Sequence, residues 1–543
     1  DPLGDVLETD IVIAGTGAAG ATLARALSNT NRRVLLLESG GATRDPAADA
    51  LNEVENIGRL RIGDQWLARN RILGGTSHSW SGRCTPFDES DFGPRLWVEH
   101  SGWPLQGTAL RPYLDRAAAY LGIVPGAGLA TPEFWRSARR RAPALGLDPD
   151  ILVPHLWSFS QDRANAREPT RFGRHLAGDL GPNVTLLTHA TLCDIELNEA
   201  CTRLTGVQIM LAGGERRHVR AAQLVLACGG IENARLLLNA DRQMKAGIGN
   251  QNDQVGRYLM DHLRGPTAHI AVRASAGLQR RLGHYRLAGS HVFALGLRLS
   301  PVRQAAEGLL NAAAWVDGRI AQDDPWIALK SLAQGRIGAL PPIIRNAGLL
   351  PAGLFERLVA RRGLPRKLDR LELICMCEQV PDPQSRVQLA TARDATGLRR
   401  ARIDWRVHDQ EVLTLRRLTM LIICEFKRLG WPVPHPEDWV RDHQAIPDRF
   451  LDVAHPTGTT RMGRDPASSV VNEHGEVHGV SGLYVAGSSI FPTAGHANPT
   501  LMIVAMALRL ADHLMMPAAA VCTAGLHARS YAQDIMNDRQ TKP

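Results

Sequence analysis

The chain is predicted to have an α/β fold with a Rossmann-like dinucleotide-binding unit at its N-terminus, on three observations. Residues 10–14, DIVIA, read as a short buried strand, and GTGAAG at 15–20 follows it directly. ATLARALSNT comes next, with Leu23 and Leu27 four apart, the spacing of one helix face. RVLLLES at 33–39 then reads as a second strand ending at Glu38 and Ser39. In such a strand–turn–helix–strand unit Gly15 permits the tight turn, Gly17 lets the backbone approach a pyrophosphate, and Gly20 lets helix pack on strand. Ala18 and Ala19 stand at the mouth of the helix, whose unpaired N–H groups face the phosphates. Glu38, 18 residues past Gly20, is placed to accept bonds from ribose hydroxyls and to repel a 2′-phosphate. The turn alone does not separate FAD from NAD.

At 543 residues the chain is long enough for several domain-sized units, and 44% apolar residues with 51 Gly and 32 Pro is ordinary globular composition. The net charge of +9 is carried mostly by arginine, in RRLGHYRL (280–287), ARRGLPRKLDR (360–370) and GLRRARIDWR (397–406). These runs are short, interleaved with apolar residues and without aromatic stacking pairs, and sit in a chain only 5% aromatic, which argues against nucleic acid and for a solvated face or a basic dock for an acceptor protein. The eight cysteines show no zinc or CxxC spacing and read as reduced thiols, with Cys375 and Cys377 on one face of a strand. With neither a signal peptide nor an apolar run of transmembrane length recognised, a soluble cytoplasmic protein is the expectation.

Further motifs lie hundreds of residues apart: RILGGTSHSWSGRCTPFDESDF (71–92), VTLLTHATLCDIEL (184–197), LVLACGGIENARLLL (224–238), VGRYLMDHL (255–263), SRVQL (385–389), HPTGTTRMG (455–463) and GLYVAGSSIFPTAGHANPT (482–500). In this order they resemble the glucose–methanol–choline (GMC) oxidoreductases nearly end to end. The resemblance implies a flavoprotein: a Rossmann-like FAD domain (1–92, 184–262 and 453–516) interleaved with a mixed-sheet α+β substrate domain (93–183 and 263–452). A helical insertion at about 270–365 and a tail at 517–543 complete the division. FAD contacts are expected from Gly74, Gly75, Thr76, Ser77, Ser79 and Ser81 beside the ring, and from Leu192 at the adenine. Ala227, Gly229, Gly487, Asn498, Pro499 and Thr500 complete the set. Asn498 reads as the N-cap and Pro499 as N1 of a helix whose positive end faces the flavin edge where charge collects on reduction. Sugar oxidases of the family attach their flavin through a histidine in GGxxxHW. Here the stretch is GGTSHSW, with Ser79 at that position and His78 one residue early, so noncovalent FAD is expected. In an extended segment the shift would turn His78 to the opposite face.

Alcohol oxidation needs a base for the hydroxyl proton, and a neutral imidazole suits that task. His455 aligns with the family's base, and Asn498, 43 positions on, with the partner that bonds the substrate oxygen. His496 is a candidate for substrate contact or packing, and Arg461 reads as structural. The substrate class implied is a sugar, aminoglycoside, polyol or glycosylated natural product. A bulky hydrophobic alcohol is the alternative, because 270–365 is leucine-rich. A flavin monooxygenase and a redox-silent lyase of the same fold are the other classes; the late strand reads VAGSS, without the GD motif of the first. O2, a quinone or a redox protein would reoxidise the flavin, in a monomer or homodimer. The amphipathic segments PWIALKSLAQGRIGALPP and LLPAGLFERLVARR suggest a lid and interface, with peripheral membrane contact as another use.

Overall fold

Two large sheets, one of seven strands and one of eight, organise the described residues. The computed structural model describes residues 6–124, 132–137, 142–286, 291–336, 338, 340–360 and 362–516. The expected tail at 517–543, with Cys522, lies outside them.

The first sheet has seven strands. Val184–Leu187, Val34–Leu37, Val6–Ala14 and Arg216–Leu226 pair in parallel, and Leu483–Val485 adds in parallel to the end of Arg216–Leu226. Leu204–Met210 and Thr191–Leu197 continue it antiparallel. The central strands are unbroken apolar runs because both faces are covered: Ile11, Val12 and Ile13 have no exposure, and Val34–Leu37 is buried throughout. The helix Ala18–Ala26 starts from Gly17 and covers one face together with the helix Thr500–Leu514, both in one apolar cluster. Gly15 has φ +99°, and a Cβ there would lie 2.7 Å from the Ala227 carbonyl oxygen. A Cβ on Gly20 would lie 1.8 Å from the Gly15 carbonyl oxygen, so the turn tolerates no side chain at either place.

The second sheet has eight strands. Its order from one edge runs His435–Pro436, Leu263–His269, Leu368–Cys377, Ala312–Ile320, Val292–Leu299, Leu152–Phe159 and Arg83–Cys84, with His284–Arg286 also on Val292–Leu299. Every pairing in it is antiparallel. Such strands need no crossover helix, and mixed pairing occurs instead in the first sheet and in the small sheet of Val54–Asn56, Arg386–Arg393 and Arg399–Asp404. One face of the large antiparallel sheet carries Leu156, Leu295, Leu297, Ala314, Cys375 and Cys377, all buried, with the 20-residue helix Asp409–Arg428 packed behind it. No cysteine is paired among the described residues.

The stretch 270–365 is only partly helical. It contains the strands Val292–Leu299 and Ala312–Ile320 of the sheet, and its later helices are Pro325–Leu332, Leu340–Arg345 and Leu349–Leu358. Trp326 packs on Gly353 to join the first and third of these. The apolar stripes are not fully covered: Ile344, Leu354, Phe355, Leu358 and Val359 remain exposed.

Candidate active site

A cavity of about 450 Å³ runs from the turn at Gly15 to His455 and Asn498. Of the residues expected at the cofactor, Gly15, Gly17, Ala18, Ala19, Glu38, Ser39, Gly75, Thr76, Ser77, Ser79, Ser81, Leu192, Ala227, Gly229, Gly487, Asn498, Pro499 and Thr500 line it. Gly20 and Gly74 do not; they shape the turns that do. Gly74 has φ +95° and lies so close to Gly173 that a Cβ would come within 2.3 Å of its nitrogen.

At the nucleotide end Glu38 accepts from the Thr16 hydroxyl, from the Thr16 amide at 3.2 Å and from the Gly40 amide at 2.9 Å. Burial pushes its carboxyl above the usual range, while these bonds and Arg71 oppose the rise. A carboxylate offers about four acceptor positions, so room remains for about one ribose hydroxyl. On the same wall Arg69, Arg71 and Arg235 converge on Glu232 at 2.9–3.0 Å. Burial alone would raise Glu232, but Arg235, Arg71 and Arg69 hold it at about 2. This network escaped the sequence reading, because its members meet only after folding.

The stretch beside the expected ring is a 3-10 turn, Gly75–His78, not an extended segment. His78 consequently points back, its Nε2 3.0 Å from the Leu73 carbonyl oxygen, and it does not line the cavity, whereas Ser79 does. The Ser77 hydroxyl donates to the Gly74 carbonyl at 2.7 Å and accepts from the Phe172 amide at 3.1 Å, so it holds the loop rather than standing free.

The helix after the last motif begins at Thr500 with Pro499 at the cap position, one residue later than expected. Pro499 already has αR dihedrals, φ −74° and ψ −15°, and no side chain caps the helix. Asn498 therefore keeps its amide for the cavity: its oxygen is buried and meets no donor among the described residues. Gly17 complements it at the far end, since a Cβ there would meet nothing within 4 Å. A bare glycine turn, an orphaned amide and a long cleft between them suit an extended dinucleotide cofactor.

His455 is set by a chain of bonds. Its amide donates to Asp261 Oδ2 at 2.9 Å, and the Val453 amide donates to Asp261 Oδ1 at 3.0 Å. Asp261 and Asp452 are bridged by Arg61, at 3.1 and 2.8 Å. His455 Nδ1 lies 3.0 Å from His262 Nδ1, and His262 Nε2 lies 2.8 Å from the Gly495 carbonyl oxygen. A carbonyl only accepts, so His262 carries its proton on Nε2 and offers a lone pair at Nδ1. His455 then donates through Nδ1, and its Nε2 lone pair is left over on a side chain that lines the cavity. Burial, with the neighbours His262 and Arg264, holds its imidazole well below 6.5. His262 had no role in the sequence reading, although the DH of VGRYLMDHL was its only trace.

His496 sits elsewhere. It has no exposure, its Nε2 is 3.2 Å from His155 Nε2, and it does not line the cavity. Burial pushes it down to about 4. Arg461 donates to the His100 carbonyl at 2.7 Å and lies over the ring of Tyr258.

The fold and the cleft define an FAD-binding oxidoreductase. The family models described as GMC oxidoreductase match residues 9–264 and 381–507, and the chain belongs to the GMC oxidoreductase family. It is 25% identical to paromamine 6′-oxidase of Streptomyces fradiae, covering 92% of this chain and 90% of that one. It is 26% identical to 5-(hydroxymethyl)furfural oxidase of Methylovorus sp. (strain MP688), covering 93% and 98%. The crystal structure of pyridoxine 4-oxidase from Mesorbium loti shares the fold, with a TM-score of 0.54 at 18% identity over 93% of this chain and 99% of that one. Oxidation of CH–OH groups is the reaction class of this chain. No described helix is long and apolar enough to cross a membrane.

Proposed function

We propose that the chain oxidises a sugar, polyol or glycosylated natural product at one hydroxyl-bearing carbon, with noncovalently held FAD. The observation that carries this reading is the tautomer chain Gly495–His262–His455, which leaves a base lone pair on a cavity-lining histidine. When bound, FAD supplies the hydride acceptor. His455 Nε2 takes the hydroxyl proton, and His262 and Asp261 hold the imidazole in register for it. Asn498 lines the same cavity, and its side-chain N–H donates to that oxygen. Glu38 and Gly17 take the ribose and the pyrophosphate. We read the seven-stranded sheet as the cofactor body and the eight-stranded sheet as the substrate body.

An anaerobic panel of alcohols, followed by loss of the oxidised flavin's visible band, tests the function; no bleaching by any alcohol would return the lyase reading. The attachment is tested separately. Acid or heat precipitation is expected to release the yellow colour into the supernatant, because His78 is engaged with Leu73 and turned from the cavity. Colour kept in the pellet overturns the noncovalent assignment.

A further inference from the structure

The eight-stranded sheet shows what kind of alcohol its chamber takes. Direct cross-strand partners share a face, and residues two apart along a strand share it too. Arg83 pairs Phe159, Trp157 pairs Ala294, Arg298 pairs Ala313, and Ala313 and Arg264 both pair Met376. Arg83, Phe159, Trp157, Trp315, Asp317 and Arg264 therefore stand on one face, opposite the helix-covered one. Arg83 and Arg264 reach the cavity that His455 lines.

Five arginines line that cavity. Arg69, Arg71 and Arg235 are each bonded to Glu232, at the nucleotide end. Arg83 and Arg264 are different: among the described residues neither has a carboxylate oxygen within 4.0 Å or a hydrogen-bond partner. The Arg83 guanidinium lies over aromatic rings instead, 4.7 Å from the centre of Trp315, 5.3 Å from Trp157 and 5.8 Å from Phe159. Burial, and then repulsion by Arg264, lowers Arg83 to about 10. Asp317 is the acid that attracts both, and Asp261 also attracts Arg264 but is held by Arg61. Two guanidiniums against the free Asp317 leave one positive charge unanswered.

We propose that the substrate alcohol carries a carboxylate, seated between Arg83 and Arg264 against the wall of Trp157, Phe159 and Trp315. This rests on the alcohol-oxidation reading and narrows it. One carboxylate with Asp317 neutralises the pair, whereas a dianion overshoots and a polycationic aminoglycoside is repelled.

The test separates binding from turnover. Flavin-loaded protein is titrated with benzoate, benzamide and phenylphosphonate, following perturbation of the flavin spectrum. Benzoate is expected to bind about 10- to 100-fold tighter than benzamide, as charge-assisted hydrogen bonds allow, and tighter than phenylphosphonate. Arg83→Met and Arg264→Met should each lose most of that preference while staying yellow. Where a methionine variant fails to hold flavin, the lysine variant replaces it and should lose part of the preference, since it keeps the charge without the fork. As reductants, 4-(hydroxymethyl)benzoate should surpass 4-(hydroxymethyl)benzamide through KM. Equal binding of benzoate and benzamide, preference for the phosphonate, or a preference untouched in both arginine variants overturns the proposal. Arginine-dependent benzoate binding with no flavin reduction by any hydroxymethyl compound keeps the anion site and overturns the alcohol reading.

Discussion

His455→Ala is expected to bind FAD and substrate yet slow flavin reduction by roughly 10²–10⁴-fold, the usual worth of a positioned general base. The pH dependence has a definite sign. The wild-type imidazole is held well below 6.5, so it is neutral at pH 7 and becomes protonated only as pH falls through that lowered value. Stopped-flow reduction should therefore stay near its plateau down through pH 6.5 and fall only below it. In His455→Ala this acid limb should vanish, and the deficit should shrink as pH rises, because alkoxide then forms without a base. Asn498→Ala should cost about 10–10³-fold, as one oriented hydrogen bond is lost. In the proposed mechanism both side chains act on one oxygen, so the double variant should lose less than the product of the singles. His496→Ala, away from the cavity, should cost least. If reduction collapses in His496→Ala and survives in His455→Ala, the assignment of the base is wrong.

What could be read before folding was local or carried by resemblance. The turn at Gly15 was legible because a strand, a φ-positive glycine and a helix start are each written in adjacent residues. Leu192, by contrast, came only through the resemblance. The His262–His455 bond joins positions 193 apart, and nothing along the chain announces which nitrogen faces which. Arg83 and Arg264 are brought to one chamber by strand register through four intervening strands, which no motif encodes. Asn498 was misplaced by one residue because an Asn-Pro pair reads as cap and first turn, while Pro499 itself takes the cap position. His496 looked accessible from its neighbour Asn498, but the bend between them turns it into the core beside His155.

Glu38→Arg should yield protein without flavin. The carboxylate now accepts from the Thr16 and Gly40 amides and faces the cavity with Arg71 nearby. Arginine accepts nothing, so three buried donors, the Thr16 amide and hydroxyl and the Gly40 amide, lose their partner, at about 1–3 kcal/mol each. It also sets a second cation beside Arg71 and removes the acceptor for the ribose. The flavin-to-protein absorbance ratio after purification reads the outcome. Glu38→Gln, which keeps one oxygen and the shape, should retain flavin more weakly and shows whether the fold survives a change here. Wild-type flavin content in Glu38→Arg would place the nucleotide elsewhere.

The pairing of Leu483–Val485 with Leu224–Leu226, and the apolar cluster shared by helices Ala18–Ala26 and Thr500–Leu514, bear on how the molecule is made. Synthesis runs from the N-terminus, so the phosphate turn leaves the ribosome about 470 residues before the strand that completes its sheet. At roughly 5–20 residues per second that is a wait of about 25–95 s with apolar strand faces uncovered. His455, Asn498 and the helix over Ala21 and Leu23 arrive last. Cofactor capture therefore waits on late segments that close the chain upon itself, and slow translation or scarce chaperone capacity should lower flavin occupancy and soluble yield together.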